Sequence, residues 1–88
     1  MGKNMEIIIY GTTWCPSCVS AKKFFDEHEI IYKEINIETE GMSRDDLSSL
    51  TGGYTVPQIV INGQCIGGFS DLMQLSQSGK LKEILHNG

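Results

Sequence analysis

Ile7-Ile8-Ile9-Tyr10-Gly11-Thr12-Thr13-Trp14-Cys15-Pro16-Ser17-Cys18 decides how this chain folds. Residues 5–10 form a short β-branched run with no charge after Glu6, which predicts a buried strand. Gly11 to Trp14 supply the following loop. Pro16 suits the first position of a helix, where its missing N–H would have had no partner anyway. Ala21, Phe24, Phe25 and His28 follow at helical spacing, with Lys22, Lys23, Asp26 and Glu27 elsewhere on the surface, so a helix is expected over 16–28. Two thiols therefore fall on a strand-to-helix turn, with Cys15 at the N-cap and Cys18 inside the first turn.

That placement carries chemistry. A free thiol titrates near pH 8.5, and a helix N-terminus lowers this to roughly 3.5–7.5. The unpaired N–H groups of the first turn favour negative charge on the Cys15 sulfur. Cys15 is then the nucleophile that attacks a disulfide, and the more buried Cys18 resolves the resulting mixed disulfide. Pro16 stiffens the turn and removes one donor. The competing reading is structural thiols or half of a zinc site. Zinc usually takes four ligands, and Cys65, His28 and His86 lack partner spacing to the first pair. Cys65 reads as a small strand residue facing partly inward, and the two histidines as surface or helix-end residues.

Size and composition narrow the classes further. The chain of 88 residues suits one domain spanning 1–88, with residues 1–4 a ragged end and Met5 a second candidate start. A net charge of −4 without a Lys/Arg cluster argues against a nucleic-acid binder and a polybasic membrane contact. No apolar stretch is long enough to cross a bilayer, and the N-terminus lacks the apolar core of a secretory signal. Glu6 stands where a myristoylation motif at Gly2 wants Ser or Thr. Three cysteines is an odd number, unlike a secreted disulfide scaffold, and points to a reducing cytoplasm.

Beyond the first helix, Ile31, Ile35 and Ile37 alternate with polar residues and predict a second strand. Ser43 with Asp46 resembles a capping box for a short helix, with Leu47 and Leu50 facing inward and Gly52-Gly53 ending it. Ile59-Val60-Ile61 and Gln64-Cys65-Ile66 flank Asn62-Gly63, the preferred pair for a type I′ turn. Ser70 is expected to cap a third helix running to about residue 78, where Gly79 breaks it, and Leu81, Ile84 and Leu85 suggest a last amphipathic piece. The order β-α-β-α-β-β-α makes an α/β fold with a mixed four-stranded sheet flanked by helices.

Cys15-Pro16-Ser17-Cys18, Thr55-Val56-Pro57 before a strand, and Gly67-Gly68-Phe69-Ser70-Asp71 at a helix start together resemble the glutaredoxin family, over roughly residues 5 to 86. The resemblance implies a thioredoxin-like fold and glutathione-dependent reduction of protein disulfides and glutathione mixed disulfides. Glutathione is then a co-substrate, with no permanently bound cofactor and no metal. It implies a cis bond before Pro57, with exposed backbone groups of Val56 pairing with the tripeptide. Gly67 and Gly68 admit a ligand close to the backbone. Ser70 and the Asp71 N–H suit the γ-glutamyl carboxylate, and the Asp71 carboxylate its ammonium. Arg44 falls where relatives hold the glycine carboxylate. The full implied contact set is Thr12, Trp14, Pro16, Arg44, Thr55, Val56, Pro57, Gly68, Ser70 and Asp71.

Two positions depart from the family. Thr12 stands where a lysine usually serves the glycine carboxylate and could also stabilise the thiolate, and Ser17 where an aromatic ring is common; Trp14 either substitutes as an apolar wall or packs in the loop. Implied partners are glutathione and disulfide or glutathionylated proteins such as ribonucleotide reductase. Glutathione reductase acts indirectly, and the chain itself is expected to be a monomer. Two other readings are a reductant served by thioredoxin reductase and a carrier of a glutathione-ligated 2Fe–2S cluster. Gly67-Gly68-Phe69-Ser70-Asp71 argues against the first and Pro16 against the second.

Overall fold

A computed structural model of the protein describes residues 6–87, with side chains described to residue 85. The expected ragged residues 1–4, the second start at Met5 and the His86 side chain lie outside what is described. Strand β1 (Ile7–Gly11) leads into α1 (Pro16–Glu27), β2 (Lys33–Asn36) and α2 (Arg44–Thr51). The chain then forms the hairpin β3 (Gln58–Ile61) and β4 (Gln64–Gly67), followed by α3 (Phe69–Ser78) and α4 (Lys80–Asn87). The sheet order is β2-β1-β3-β4, with β1 parallel to β2 and antiparallel to β3, and β3 antiparallel to β4. This is the thioredoxin-like arrangement, with its parallel opening unit and closing hairpin.

Alternation along β1 divides the core in two. Ile7 and Ile9 point to one face, where they meet Ile59 and Ile61 of β3, Ala21 and Phe25 of α1, Leu72 of α3 and Leu81 of α4. Tyr10, with Ile8 beside it, points to the other face and packs with Ile37 and Leu47. The triple isoleucine thus serves both faces, as a central strand covered on each side requires. At the hairpin, Asn62 and Gly63 adopt φ of 52° and 83°, the positive pair that a type I′ turn demands.

Two expectations from the sequence need correction. The second strand covers only Lys33–Asn36, and Ile31 is 90 % exposed. The cause is the end of α1: Glu29 turns left-handed (φ 57°) and the Ile30 N–H closes onto the Phe25 carbonyl at 2.9 Å. Ile30 therefore packs against the core and Ile31 is left outside. Leu50 is 59 % exposed and does not face inward, whereas Leu47 is fully buried. Three residues of helix rotate a side chain by about 60° from its predecessor, and on an eight-residue helix with one buried position this is enough to reach solvent.

The short Asp46 does complete the capping box. The Asp46 N–H donates to Ser43 Oγ and the Ser43 N–H to Asp46 Oδ2, each at 3.0 Å. Gly52 closes the helix in the left-handed conformation (φ 87°). Leu47→Ala is expected to cost about 2–5 kcal/mol through loss of buried volume. Leu50→Ala should stay within about 0.5 kcal/mol. Urea denaturation of the two variants measures the contrast.

Candidate dithiol site and its groove

The carboxyl end of β1 delivers the chain to the redox pair. Cys15 is the N-cap of α1, with extended backbone (φ −145°, ψ 96°), and Pro16 takes the first helical position. The Cys18 N–H donates to Cys15 Sγ at 3.1 Å, and the Val19 N–H donates to the Cys15 carbonyl at 3.1 Å. The first turn contains no acidic side chain to oppose a negative sulfur. The two cysteines are joined as a disulfide. Cys15 retains 7 % exposure against 2 % for Cys18, so the outer sulfur is the one expected to act as nucleophile. Gly11 makes room for the inner one: a Cβ at that position would lie 2.8 Å from Cys18 Sγ.

The loop before Cys15 is tied to the far end of β2. The Asn36 side-chain amide donates to Thr13 Oγ1 at 3.1 Å, and the Thr13 N–H donates to Glu38 Oε1 at 3.3 Å. Trp14, in the same loop, is 92 % exposed.

Beside the pair lies a groove of about 580 Å³. One wall is the segment Thr55-Val56-Pro57, and the Val56–Pro57 peptide is cis, as the resemblance implied. A second wall is Gly68, Ser70 and Asp71, and Ser17 contributes from α1. Six of the ten implied contact residues thus meet at one cavity: Thr55, Val56, Pro57, Gly68, Ser70 and Asp71. Thr12, Trp14, Pro16 and Arg44 do not line it. Arg44 is exposed, and its Nη1 donates to the Tyr54 carbonyl at 2.9 Å, which ties it to the residue just before the first wall.

The second wall also corrects an expectation. Gly68, not Ser70, is the N-cap of α3, and no side chain caps it. Ser70 instead stands in the first turn, where backbone N–H groups lack intrahelical partners. Asp71 Oδ2 accepts the Gly68 N–H at 2.9 Å, the half of a capping box that a glycine cap allows. The carboxylate packs over Gly67, whose φ of 106° and lack of a side chain are both required there. A register shift between Ile59 and Val60 inserts an extra β4 residue just before these glycines and bends the strand end.

Sequence reasoning missed the polar floor of this groove. Gln58, Gly53, Thr51 and Cys65 all contribute to it, and Gln58 is a buried polar residue with 5 % exposure. The available signal was a glutamine opening a β-branched run whose other residues suit a buried strand. Cys65 is half-buried, as expected, but it borders the groove rather than only filling the core.

The family model described as Glutaredoxin matches residues 7–66. The Glutaredoxin of Pseudomonas aeruginosa is 37 % identical over 79 residues, covering 90 % of this chain and 94 % of that protein. The mitochondrial Glutaredoxin-2 of Pongo abelii is 37 % identical over 83 residues, covering 91 % of this chain but 52 % of that protein. The chain therefore spans about half the length of that relative. Among solved structures, the buckwheat glutaredoxin–glutathione complex superposes with a TM-score of 0.82 at 29 % identity, covering 92 % of this chain and 76 % of that one. Reduced Escherichia coli glutaredoxin gives a TM-score of 0.70 at 31 % identity, covering 83 % and 94 %.

Gly67→Ala is expected to destabilise the fold by about 1–3 kcal/mol through the forced positive φ. It should also shift the Gly68 amide resonance by displacing the Asp71 carboxylate. Gly63→Ala, with nothing within 4 Å of its added Cβ, should show a strain cost without that shift. Thermal denaturation and amide spectra of the two variants check both statements.

Proposed function

This chain belongs to the glutaredoxin family, whose members are thiol–disulfide oxidoreductases, and from that premise we propose that it reduces protein disulfides and glutathione mixed disulfides at the expense of glutathione. The observation that carries the reading is a dithiol at a helix N-terminus beside a groove that offers a backbone edge on one wall and a helix start with a carboxylate on the other.

With a glutathionylated substrate, the Cys15 thiolate attacks the glutathione sulfur. The protein thiolate leaves, and Cys15 is joined to glutathione. A second glutathione thiolate then attacks the glutathione sulfur of that mixed disulfide, releasing Cys15 and glutathione disulfide. With a protein disulfide, Cys15 attacks one sulfur and the other leaves as a thiolate. Cys18 then attacks Cys15, the reduced substrate departs, and the internal disulfide seen here results. Two glutathiones return that disulfide to the dithiol. In each cycle the Cys18 N–H stabilises the outer sulfur whenever it carries charge. With Thr12 in place of a lysine, the helix terminus bears most of this task.

The groove suits the tripeptide. Val56 offers backbone groups for a short strand-like pairing. The N–H groups of the first turn of α3 receive the γ-glutamyl carboxylate, and Asp71 receives its ammonium. Arg44 supplies the cation for the glycine carboxylate from the start of α2, since its bond to Tyr54 leaves other guanidinium N–H groups to donate. The structural resemblance to a glutaredoxin solved with glutathione supports this assignment. Protein substrates of the kind represented by ribonucleotide reductase, with glutathione reductase restoring the reduced tripeptide, complete the cycle in a reducing cytoplasm.

Cys15→Ser should abolish glutathione-linked turnover, whereas Cys18→Ser should keep reduction of a glutathionylated peptide and lose reduction of a protein disulfide. Parallel assays with the two substrate types test this. Turnover surviving in Cys15→Ser would overturn the assignment of the nucleophile.

A further inference from the structure

We infer that Gln58 is a positioning residue that fixes the direction of the Val56 N–H, and through it the affinity of the groove for glutathione; the inference rests on the function proposed above. Gln58 opens β3 with its side chain buried, and both ends of its amide are engaged. Nε2 donates to the Thr55 carbonyl at 2.9 Å and lies 3.3 Å from Thr55 Oγ1. Oε1 accepts from Cys65 Sγ, at 3.4 Å, on the neighbouring strand β4. The amide therefore spans from the hairpin's second strand to the loop that forms the first wall.

The consequence follows from peptide geometry. The Thr55 carbonyl and the Val56 N–H belong to one planar unit, and in a trans peptide they point in opposite directions. The Thr55–Val56 bond is not the cis one. Drawing the Thr55 oxygen inward to a buried amide turns the Val56 N–H outward, toward whatever lies in the groove. No other polar group described here accepts that N–H.

The surroundings are built to admit this amide. A Cβ on Gly53 would lie 2.5 Å from Gln58 Nε2, so only glycine leaves the space. Three successive residues of the loop are also tethered separately. The Gly53 N–H donates to Thr51 Oγ1 at 3.2 Å, the Tyr54 carbonyl accepts from Arg44, and the Thr55 carbonyl accepts from Gln58. Of these tethers only the last holds the peptide that carries the Val56 N–H.

The experiment compares steady-state kinetics of the unaltered chain with Gln58→Leu, Gly53→Ala, and Gly53→Ala combined with Gln58→Ala. A glutathionylated peptide serves as the varied substrate. In Gln58→Leu, which keeps the bulk and loses the donors, KM should rise about 5–10-fold, as loss of one well-placed hydrogen bond implies. The turnover at saturation should stay within about twofold, as expected for uniform binding. Gly53→Ala should raise KM in the same direction by pushing the amide aside, and should add nothing once Gln58 is alanine. That non-additivity is a signature that general loosening of the fold would not produce. If Gln58→Leu fails to fold, Gly53→Ala, which keeps Gln58, decides the matter. An unchanged KM in the folded variants, or loss of turnover with KM unaltered, overturns the inference alone. Absence of glutathione-linked turnover in the unaltered chain overturns the proposed function, and the inference falls with it.

Discussion

A single backbone N–H aimed at a sulfur organises this molecule. The bond from Cys18 N–H to Cys15 Sγ exists only because α1 begins at Pro16, one residue after Cys15. The helix begins there because β1 ends at Gly11 and a four-residue loop separates the two. Its direction is held by Ala21 and Phe25, both fully buried against the sheet. Core packing and site electrostatics are therefore one constraint. The isoleucines that make β1 a central strand also set where the helix dipole points.

The groove shows the same economy. Its two walls come from segments remote in sequence, the loop ahead of β3 and the start of α3, and the β3–β4 hairpin brings them together. Neither wall depends on a large side chain. One is held by Gln58, Arg44 and Thr51 bonding to backbone, the other by Asp71 folding back on Gly68. Polar side chains here orient main chain, and main chain lines the groove. This explains glycine at Gly53 and Gly67, where a Cβ would strike Gln58 and Asp71 respectively.

Much of this was legible in the sequence, for identifiable reasons. The redox pair, its N-cap position and the hairpin turn follow from local rules, because Pro16 and Asn62-Gly63 leave few conformations open. The two walls were recognised through the family resemblance, as was the cis bond at Pro57, which composition alone would not have suggested. Failures cluster where local pattern met tertiary geometry. Ile31 and Leu50 sit at apolar spacing yet face solvent, since a left-handed turn at Glu29 and the shortness of α2 intervene. Ser70 carried the capping composition, but α3 starts two residues earlier, with Asp71 bonding back to the Gly68 N–H. Gln58 was illegible because its partners, Thr55 and Cys65, lie on a loop and another strand.

Trp14 has a consequence of its own. It is the single tryptophan of the chain, almost wholly solvent-facing, and covalently next to one sulfur of the redox pair. A disulfide partner that docks on Cys15 therefore meets an uncovered indole one residue before it in the chain.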